Sequence, residues 1–218
     1  MYNVDDGDHT LTRMAQHETE MTNEFNVDNQ LKAVFDTGEV QHTVLTGFDY
    51  RYSHINSKMY RDYGSSYPMD WRTQSRVDVD ESLLALATNN KKTLNQYGVY
   101  LQDQLEWNNW NLLLSGRNDW SQVRNQDLTT GGSDITYNDS AFTGRAGLLY
   151  AFDNGISPYV SYSTSFEPVL EQAAPGADPL KPTTGEQTEV GVKFQPKGVD
   201  AMMTVSWFDI NQKNVSSY

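Results

Sequence analysis

Apolar and polar residues alternate with a period of two through almost the whole chain, which confines the fold to a sheet whose two faces meet different surroundings. Between Gln96 and Trp107, the residues Tyr97, Val99, Leu101, Leu105 and Trp107 share one face, and Gly98, Tyr100, Gln102, Gln104 and Glu106 share the other. Successive strand side chains point to opposite faces, so this is one apolar and one polar surface. Asp103 interrupts the apolar row, and nothing local in the sequence accounts for it. The form recurs. Trp110, Leu112, Leu114, Gly116 and Trp120 oppose Asn111, Leu113, Ser115, Arg117 and Asp119. Phe142, Gly144, Ala146, Leu148, Tyr150 and Phe152 oppose Thr143, Arg145, Gly147 and Leu149. Phe25, Val27, Leu31, Ala33 and Phe35, then Val44, Phe48, Tyr50 and Tyr52, then Val160, Tyr162 and Phe166, then Val190, Val192 and Phe194 do the same. Met202 to Ile210 leaves its apolar face ambiguous.

The pattern predicts eight strands, roughly 12–34, 39–53, 94–107, 110–124, 141–152, 156–167, 185–195 and 201–212, with no long helix. Their connections alternate strictly. Asp36-Thr37-Gly38, Asn108-Asn109, Asp153-Asn154-Gly155 and Pro196-Lys197-Gly198 have hairpin-turn chemistry, whereas about 54–93, 125–140 and 168–184 are long and polar. An up-and-down antiparallel sheet then carries all tight turns at one end and all long loops at the other. Paired with aromatics at strand ends (Trp107 and Trp110, Phe35 and Phe152), this asymmetry points to an outer-membrane β-barrel with an interfacial girdle at its periplasmic rim. Such a wall satisfies its backbone internally and shows lipid only apolar side chains. A soluble β-sandwich also alternates, but predicted strands of 11–15 residues, with 12–34 longer still, outrun the usual ~5–6.

Composition narrows the function classes. Mean hydropathy is −0.67 with 37% hydrophobic residues, and no run approaches the ~20 apolar residues of a spanning helix. Lys+Arg 16 against Asp+Glu 29 gives a net charge of −13, which argues against nucleic acid as partner. With no cysteine, disulfide scaffolds, thiol catalysis and cysteine-ligated metals are excluded. His9, His17, His42 and His54 lack any metal-ligand spacing, and Asp5-Asp6-Gly7-Asp8 lacks the later positions of a calcium loop. No Gly-x-Ser-x-Gly turn, P-loop or Gly-x-Gly-x-x-Gly occurs, so no enzyme is expected. Ser161, Ser163 and Ser165 read as polar lumen lining.

Several segments resemble one family. They are Gly98-Val99-Tyr100-Leu101-Gln102-Asp103-Gln104, Gly116-Arg117-Asn118-Asp119-Trp120, Arg145-Ala146-Gly147-Leu148-Leu149-Tyr150 and Asp153-Asn154-Gly155-Ile156-Ser157-Pro158-Tyr159. Stronger still are Ser161-Tyr162-Ser163-Thr164-Ser165-Phe166-Glu167-Pro168 and Gly185-Glu186-Gln187-Thr188-Glu189-Val190-Gly191-Val192-Lys193, with His42-Thr43-Val44-Leu45-Thr46-Gly47-Phe48-Asp49-Tyr50 earlier. In order and over nearly the whole chain, they resemble the barrel of TonB-dependent ferric siderophore receptors, in the ferrichrome and ferrioxamine (hydroxamate) branch. The resemblance implies an all-β, antiparallel transmembrane barrel of about 22 strands around a plug domain. Residues 1–218 would be eight consecutive strands of that barrel, with the plug absent. At about 27 residues per strand, the full barrel needs roughly 600. Met1 to Asp8 carry no basic segment followed by an apolar one, which fits a slice that does not start at the true beginning.

The resemblance implies a bacterial outer-membrane receptor and transporter for ferric siderophore uptake. A ferric hydroxamate siderophore would be its ligand, and the TonB complex would couple through the missing N-terminal part. Lipid and lipopolysaccharide would surround it. Fe³⁺ would travel as cargo inside the siderophore, with no cofactor in the protein. The candidate ligand surface is the aromatic cluster of the longest loop: Tyr52, Tyr60, Tyr63, Tyr67 and Trp71, with Met59 beside them. Aromatic faces and tyrosine hydroxyls suit a compact, rather apolar complex whose iron is already fully ligated. Arg61 and Arg72 could meet acidic ligands or lipopolysaccharide phosphates. Three alternatives stand beside this reading: eight strands closing as a stand-alone small barrel, an extracellular β-rich glycan-binding module, and an outer-membrane hydrolase with a Ser–His pair at its rim.

Overall fold

The computed structural model describes residues 4–5, 10–62, 67–70, 72–73, 78–169, 180–198 and 200–215. Its strands in chain order are β1 (Val4–Asp5), β2 (Thr10–Arg13), β3 (Gln16–Thr37), β4 (Val40–Arg61), β5 (Tyr67–Asp70), β6 (Ala85–Trp107), β7 (Trp110–Asp127), β8 (Asp134–Tyr150), β9 (Ile156–Glu167), β10 (Thr183–Phe194) and β11 (Met203–Lys213). The only helical element among the described residues is one 3-10 turn, Glu81–Leu83, capped by the Asp80 carboxylate on the Ser82 amide. Eight strands form one antiparallel sheet in the order β11-β10-β9-β8-β7-β6-β4-β3, and β1-β2-β5 form a small second sheet. The order is linear, with β3 and β11 at its ends, so the eight strands do not close on one another as a small barrel. A two-sheet sandwich is likewise not what they build.

The loops are shorter than the sequence reading expects. Residues 54–61 and 85–93 extend β4 and β6, and the expected loop 125–140 contracts to 128–133 between β7 and β8. Hydropathic alternation fades there because both faces are polar. Hydrogen bonding nevertheless continues along the ladder, since each backbone donor and acceptor still needs a partner. The tight turns behave as their chemistry requires: Gly38 (φ 66) and Asn108 (φ 53) each supply the left-handed residue. Register also settles β11. Val190, Val192 and Phe194 pair with Trp207, Val205 and Met203, so those three share the apolar face and Phe208 and Ile210 share the polar one.

Burial runs opposite to that of a water-soluble fold. Among the described residues, the buried apolar set is only Ala15, Tyr67, Leu94 and Val123. Large side chains of the apolar rows lie open, with Phe142 73% and Trp207 63% exposed. The facing polar rows are mostly half-buried or better, and Asp119 is 4% exposed. An exposed apolar surface this extended requires a covering.

The chain divides into two compact units, with the boundaries falling inside strands. The first comprises Met1–Glu24, Ser53–Thr93 and Arg124–Ile135, and the second comprises Phe25–Tyr52, Leu94–Val123 and Thr136–Tyr218. The long-loop ends of β3, β4, β6 and β7 belong to the first, and their tight-turn ends, with β9, β10, β11 and nearly all of β8, belong to the second.

Candidate functional site

The first unit holds most of the expected aromatic cluster. Tyr63 and Trp71 lie outside the described residues. Tyr67 sits on β5 opposite Arg13 of β2, and Arg13 donates to its carbonyl at 3.3 Å. Its side chain is buried, and its hydroxyl donates weakly to the Asp80 carbonyl at 3.5 Å. Here Tyr67 anchors the small sheet. Tyr60, half-buried, lies with its ring 6.4 Å from that of His17. Tyr52 is the last residue of its β4 stretch in the second unit and is also half-buried. Arg61 donates to Gln16 Oε1 at 2.9 Å, and the Asp62 amide donates to the Ala15 carbonyl at 3.1 Å. These bonds tie the end of β4 to the start of β3.

The β7–β8 tip of the first unit is held by local bonds. Arg124 donates from Nε to Asp134 Oδ1 at 2.9 Å and from Nη2 to Asp134 Oδ2, joined there by Gln126 at 3.1 Å. These bonds hold the Asp134 carboxyl below the usual aspartate range. Asp127 is held low in the same way by the Thr129 hydroxyl and amide, and Asp80 by the Ser82 hydroxyl and amide.

The second unit carries a structure that the sequence reading did not anticipate: an interlocked polar wall. Arg117 on β7 reaches across β6 to Asp49 on β4, donating from Nη1 to Oδ2 and from Nη2 to Oδ1 at 2.9 Å. It also holds Asp119 through Nε at 2.7 Å and Nη2 at 2.6 Å, and Gln96 donates to the same carboxylate at 3.1 Å. The crossing is possible because β6 carries Gly98 at that point. A Cβ there would stand 1.9 Å from Arg117 Nη2. Tyr100 on β6 repeats the device one strand further. Its ring lies over Gly47 of β4, where a Cβ would stand 2.4 Å from the hydroxyl, and the hydroxyl donates to Asp28 of β3 at 2.9 Å. The Arg117 guanidinium carbon lies 5.6 Å from the Tyr100 ring centroid, so the two crossings also stack. At the other end of the sheet, Tyr159 on β9 leans over Gly191 of β10, hydrogen bonds Glu189, and has Lys193 Nζ 5.4 Å from its ring centroid.

The available signal was the glycines. Gly47 and Gly98 stand on polar-facing positions of adjacent strands, where a missing side chain marks close approach from a neighbour. Their partners are 68 to 72 residues apart, which no local pattern shows. The wall presents fixed carboxylates, tyrosine hydroxyls and one clamped guanidinium. Among the described residues, no group of three His, Asp or Glu side chains is placed to hold a metal ion.

Sequence and structure comparisons agree in direction. The family profile described as "TonB dependent receptor-like, beta-barrel" matches residues 2–218. The chain is 38% identical over 192 residues to the "Ferrioxamine B receptor" of Salmonella typhimurium (strain SL1344), covering 88% of this chain and 26% of that protein. It is 34% identical over 215 residues to the "Ferrichrome outer membrane transporter/phage receptor" of Escherichia coli (strain K12), covering 96% of this chain and 28% of that protein. Among solved structures, the ferripyoverdine receptor of the Pseudomonas aeruginosa outer membrane superposes with a TM-score of 0.81 at 21% identity, covering 98% of this chain and 28% of that one. The ferric citrate transporter in its unliganded form gives 0.75 at 15% identity, over 97% and 30%. The chain thus spans about a quarter of the length of the curated relatives it matches.

Proposed function

The chain belongs to the TonB-dependent receptor-like β-barrel family, and from that premise we propose that it forms part of the wall of a bacterial outer-membrane receptor that imports ferric hydroxamate siderophores. The observation that carries the membrane half of this reading is the inverted burial. Large apolar side chains are exposed along the same rows of the second unit, while the facing polar rows of β4 and β6 to β10 are largely half-buried and hydrogen bonded. In water, that arrangement would expose an extended apolar surface; in a bilayer, the exposed rows meet acyl chains and the polar rows line the lumen. Tight turns then lie at the periplasmic side and the long loops outside.

The relatives named as ferrioxamine and ferrichrome receptors support a hydroxamate cargo for this chain. Such a ligand keeps its iron fully ligated, so the receptor's task is to hold the outer shell of the complex. In this proposal the aromatics Tyr60, Tyr63 and Trp71 supply apolar contact and hydroxyl donors. Tyr67 contributes chiefly by fixing the β2–β5 platform, and Tyr60 presents the more accessible ring. The polar wall gives the lumen fixed hydrogen-bonding groups that need no reorganisation. Energy coupling through TonB would run through other parts of the receptor. No bond-making step is assigned to this wall.

The test is growth of an iron-starved strain lacking the receptor gene, complemented with wild type or variants, on ferrioxamine B, ferrichrome or ferric citrate as sole iron source. Growth on a hydroxamate and not on citrate is expected, with Tyr60→Ala weakening ligand binding about tenfold. Equal growth with and without the gene on both hydroxamates would overturn the cargo assignment. Recovery of the protein in the soluble fraction would overturn the membrane assignment.

A further inference from the structure

Asp103 interrupts the lipid-facing row of β6, and the structure shows what it meets. Its Oδ2 accepts from His42 Nδ1 at 2.7 Å, and His42 Nε2 lies 2.7 Å from the Thr37 hydroxyl. The imidazole stacks on Phe35 with ring centroids 5.1 Å apart and planes 9° apart. Beside this chain, Glu39 accepts from Trp107 Nε1 at 3.2 Å. A carboxylate, an imidazole, a hydroxyl and a second carboxylate therefore sit on the outward face, next to the girdle tryptophan at the tight-turn end. Neither carboxylate has a Lys or Arg within ion-pair distance among the described residues. Asp103 Oδ1 is enclosed and has no hydrogen-bond partner. Ionisable groups on a lipid-facing wall are costly and call for a reason.

A second observation adjoins the first. Asp103 borders a groove of about 1100 Å³ lined chiefly by outward-row residues, among them Leu101, Leu114, Phe142 and Ala146, and also by Tyr100, Ser115, Arg117 and Arg145 of the polar rows. Gly116 and Gly144 stand where the rows otherwise carry large side chains, and the Phe142 ring lies against both, 2.9 Å from a Cβ placed at Gly116 and 3.7 Å from one at Gly144. An apolar trench with a polar end matches one lipid: acyl chain in the groove, headgroup at the rim.

We propose that Glu39, Thr37, His42 and Asp103, with the adjoining groove, seat one phospholipid of the periplasm-facing leaflet whose headgroup ends in a primary ammonium, of the phosphatidylethanolamine class. The charge decides the class. Two carboxylates without a basic partner repel an anionic headgroup and attract an ammonium, whose N–H donors can serve Glu39 and the Thr37 oxygen while the Asp103 charge adds attraction from across the His42 ring. Lipopolysaccharide is disfavoured twice, by its phosphates and by the site's place at the turn end. This inference rests on the membrane half of the proposed function and is independent of the cargo.

The experiment uses the intact receptor in nanodiscs of equal phosphatidylethanolamine and phosphatidylglycerol, released for native mass spectrometry, with heat-modifiable gel migration as the check on insertion. One phosphatidylethanolamine retained per receptor, in several-fold preference over phosphatidylglycerol, is expected. Asp103→Asn should reduce that preference about tenfold, and Ala146→Phe, which fills the trench, should abolish retention. Val192→Phe, on the lipid-facing row of β10 outside the groove, should leave it unchanged. If Asp103→Asn fails to insert, Glu39→Gln gives the same reading. An inserted wild type that holds both lipids alike, or variants that retain phosphatidylethanolamine as wild type does, overturns the seat. A wild type that will not insert into any bilayer overturns the membrane assignment itself.

Discussion

The polar wall of the second unit and the β7–β8 tip of the first are held in different ways. In the second unit, the decisive polar contacts join residues 68 to 72 positions apart, and each crosses an intervening strand through a glycine. At the β7–β8 tip of the first unit, the side-chain contacts join residues 2 to 10 positions apart, and one backbone bond, from the Leu128 amide to the Asn89 carbonyl at 2.7 Å, ties the tip to β6. Long-range crossings bind several strands into one cooperative block, whereas local contacts order a loop without committing its neighbours. Under the proposed function, the difference suits a wall that stays fixed while its outer loops adapt to a ligand. It also predicts where a substitution is felt globally and where only locally.

The sharpest way to break the contrast is at Arg117. Arg117→Leu leaves Asp49 and the buried Asp119 facing one another with no cation between them, and removing one partner of an enclosed pair is strongly destabilising. A loss of about 3 kcal/mol in unfolding free energy is expected, measured by denaturant unfolding of the receptor in micelles. A change below about 0.5 kcal/mol would mean the crossing is decorative. Gly98→Ala tests the opening itself. Its new Cβ would stand 1.9 Å from Arg117 Nη2, so the guanidinium must leave Asp49, at a cost of about 2 kcal/mol. Gly147→Ala is the control, because its Cβ would stand 3.6 Å from the Ser161 Cβ and meet nothing closer. Near-neutral behaviour is expected there, and equal costs at both glycines would remove the argument for a built passage.

Much of this was legible beforehand, and the boundary of legibility is physical. Lipid and lumen impose alternation directly on the residues, so the rows on β6, β7 and β8 could be assigned from sequence alone. The same rule made Asp103 visible as an exception but not explicable, because its partner His42 lies 61 residues away. Met202 to Ile210 was undecided because apolar residues occur on both faces, and only pairing with β10 distinguishes Val205 and Trp207 from Phe208 and Ile210. The extensions of β4 and β6 are not legible in the sequence because both their faces are largely polar, which leaves no apolar row to declare them. β5 was hidden further by Pro68, which a strand tolerates only where its missing N–H costs no ladder bond. Tyr67 read as a ligand contact because composition cannot distinguish a presented ring from an anchoring one.

The smallest expected effect, and the one that tests the local side of the comparison, is acid sensitivity of the β7–β8 tip. The Asp134 carboxyl is held below its ordinary value by Arg124, and the Asp127 carboxyl by Thr129. A carboxylate depressed in the folded state contributes stability that is present above its unfolded value of about 3.9 and is lost as pH falls through the lower folded one. These groups are exposed, so the gain is screened and confined to the loop. The readout is hydrogen-exchange protection, corrected for intrinsic rate, at the Asp127 amide, which donates to the Ser133 carbonyl at 2.7 Å. Protection should hold from neutral pH down to about 4 and fall below it, while amides near Arg117 in the second unit remain protected throughout. In Asp134→Asn the step should shrink to what Asp127 alone supplies. A decline already complete by about pH 5.5 would point to a group with a raised value, the opposite sign to Asp134. Simultaneous loss in both units would show that the tip is not local after all, and the distinction between a block bound by crossings and a loop bound by neighbours would fail.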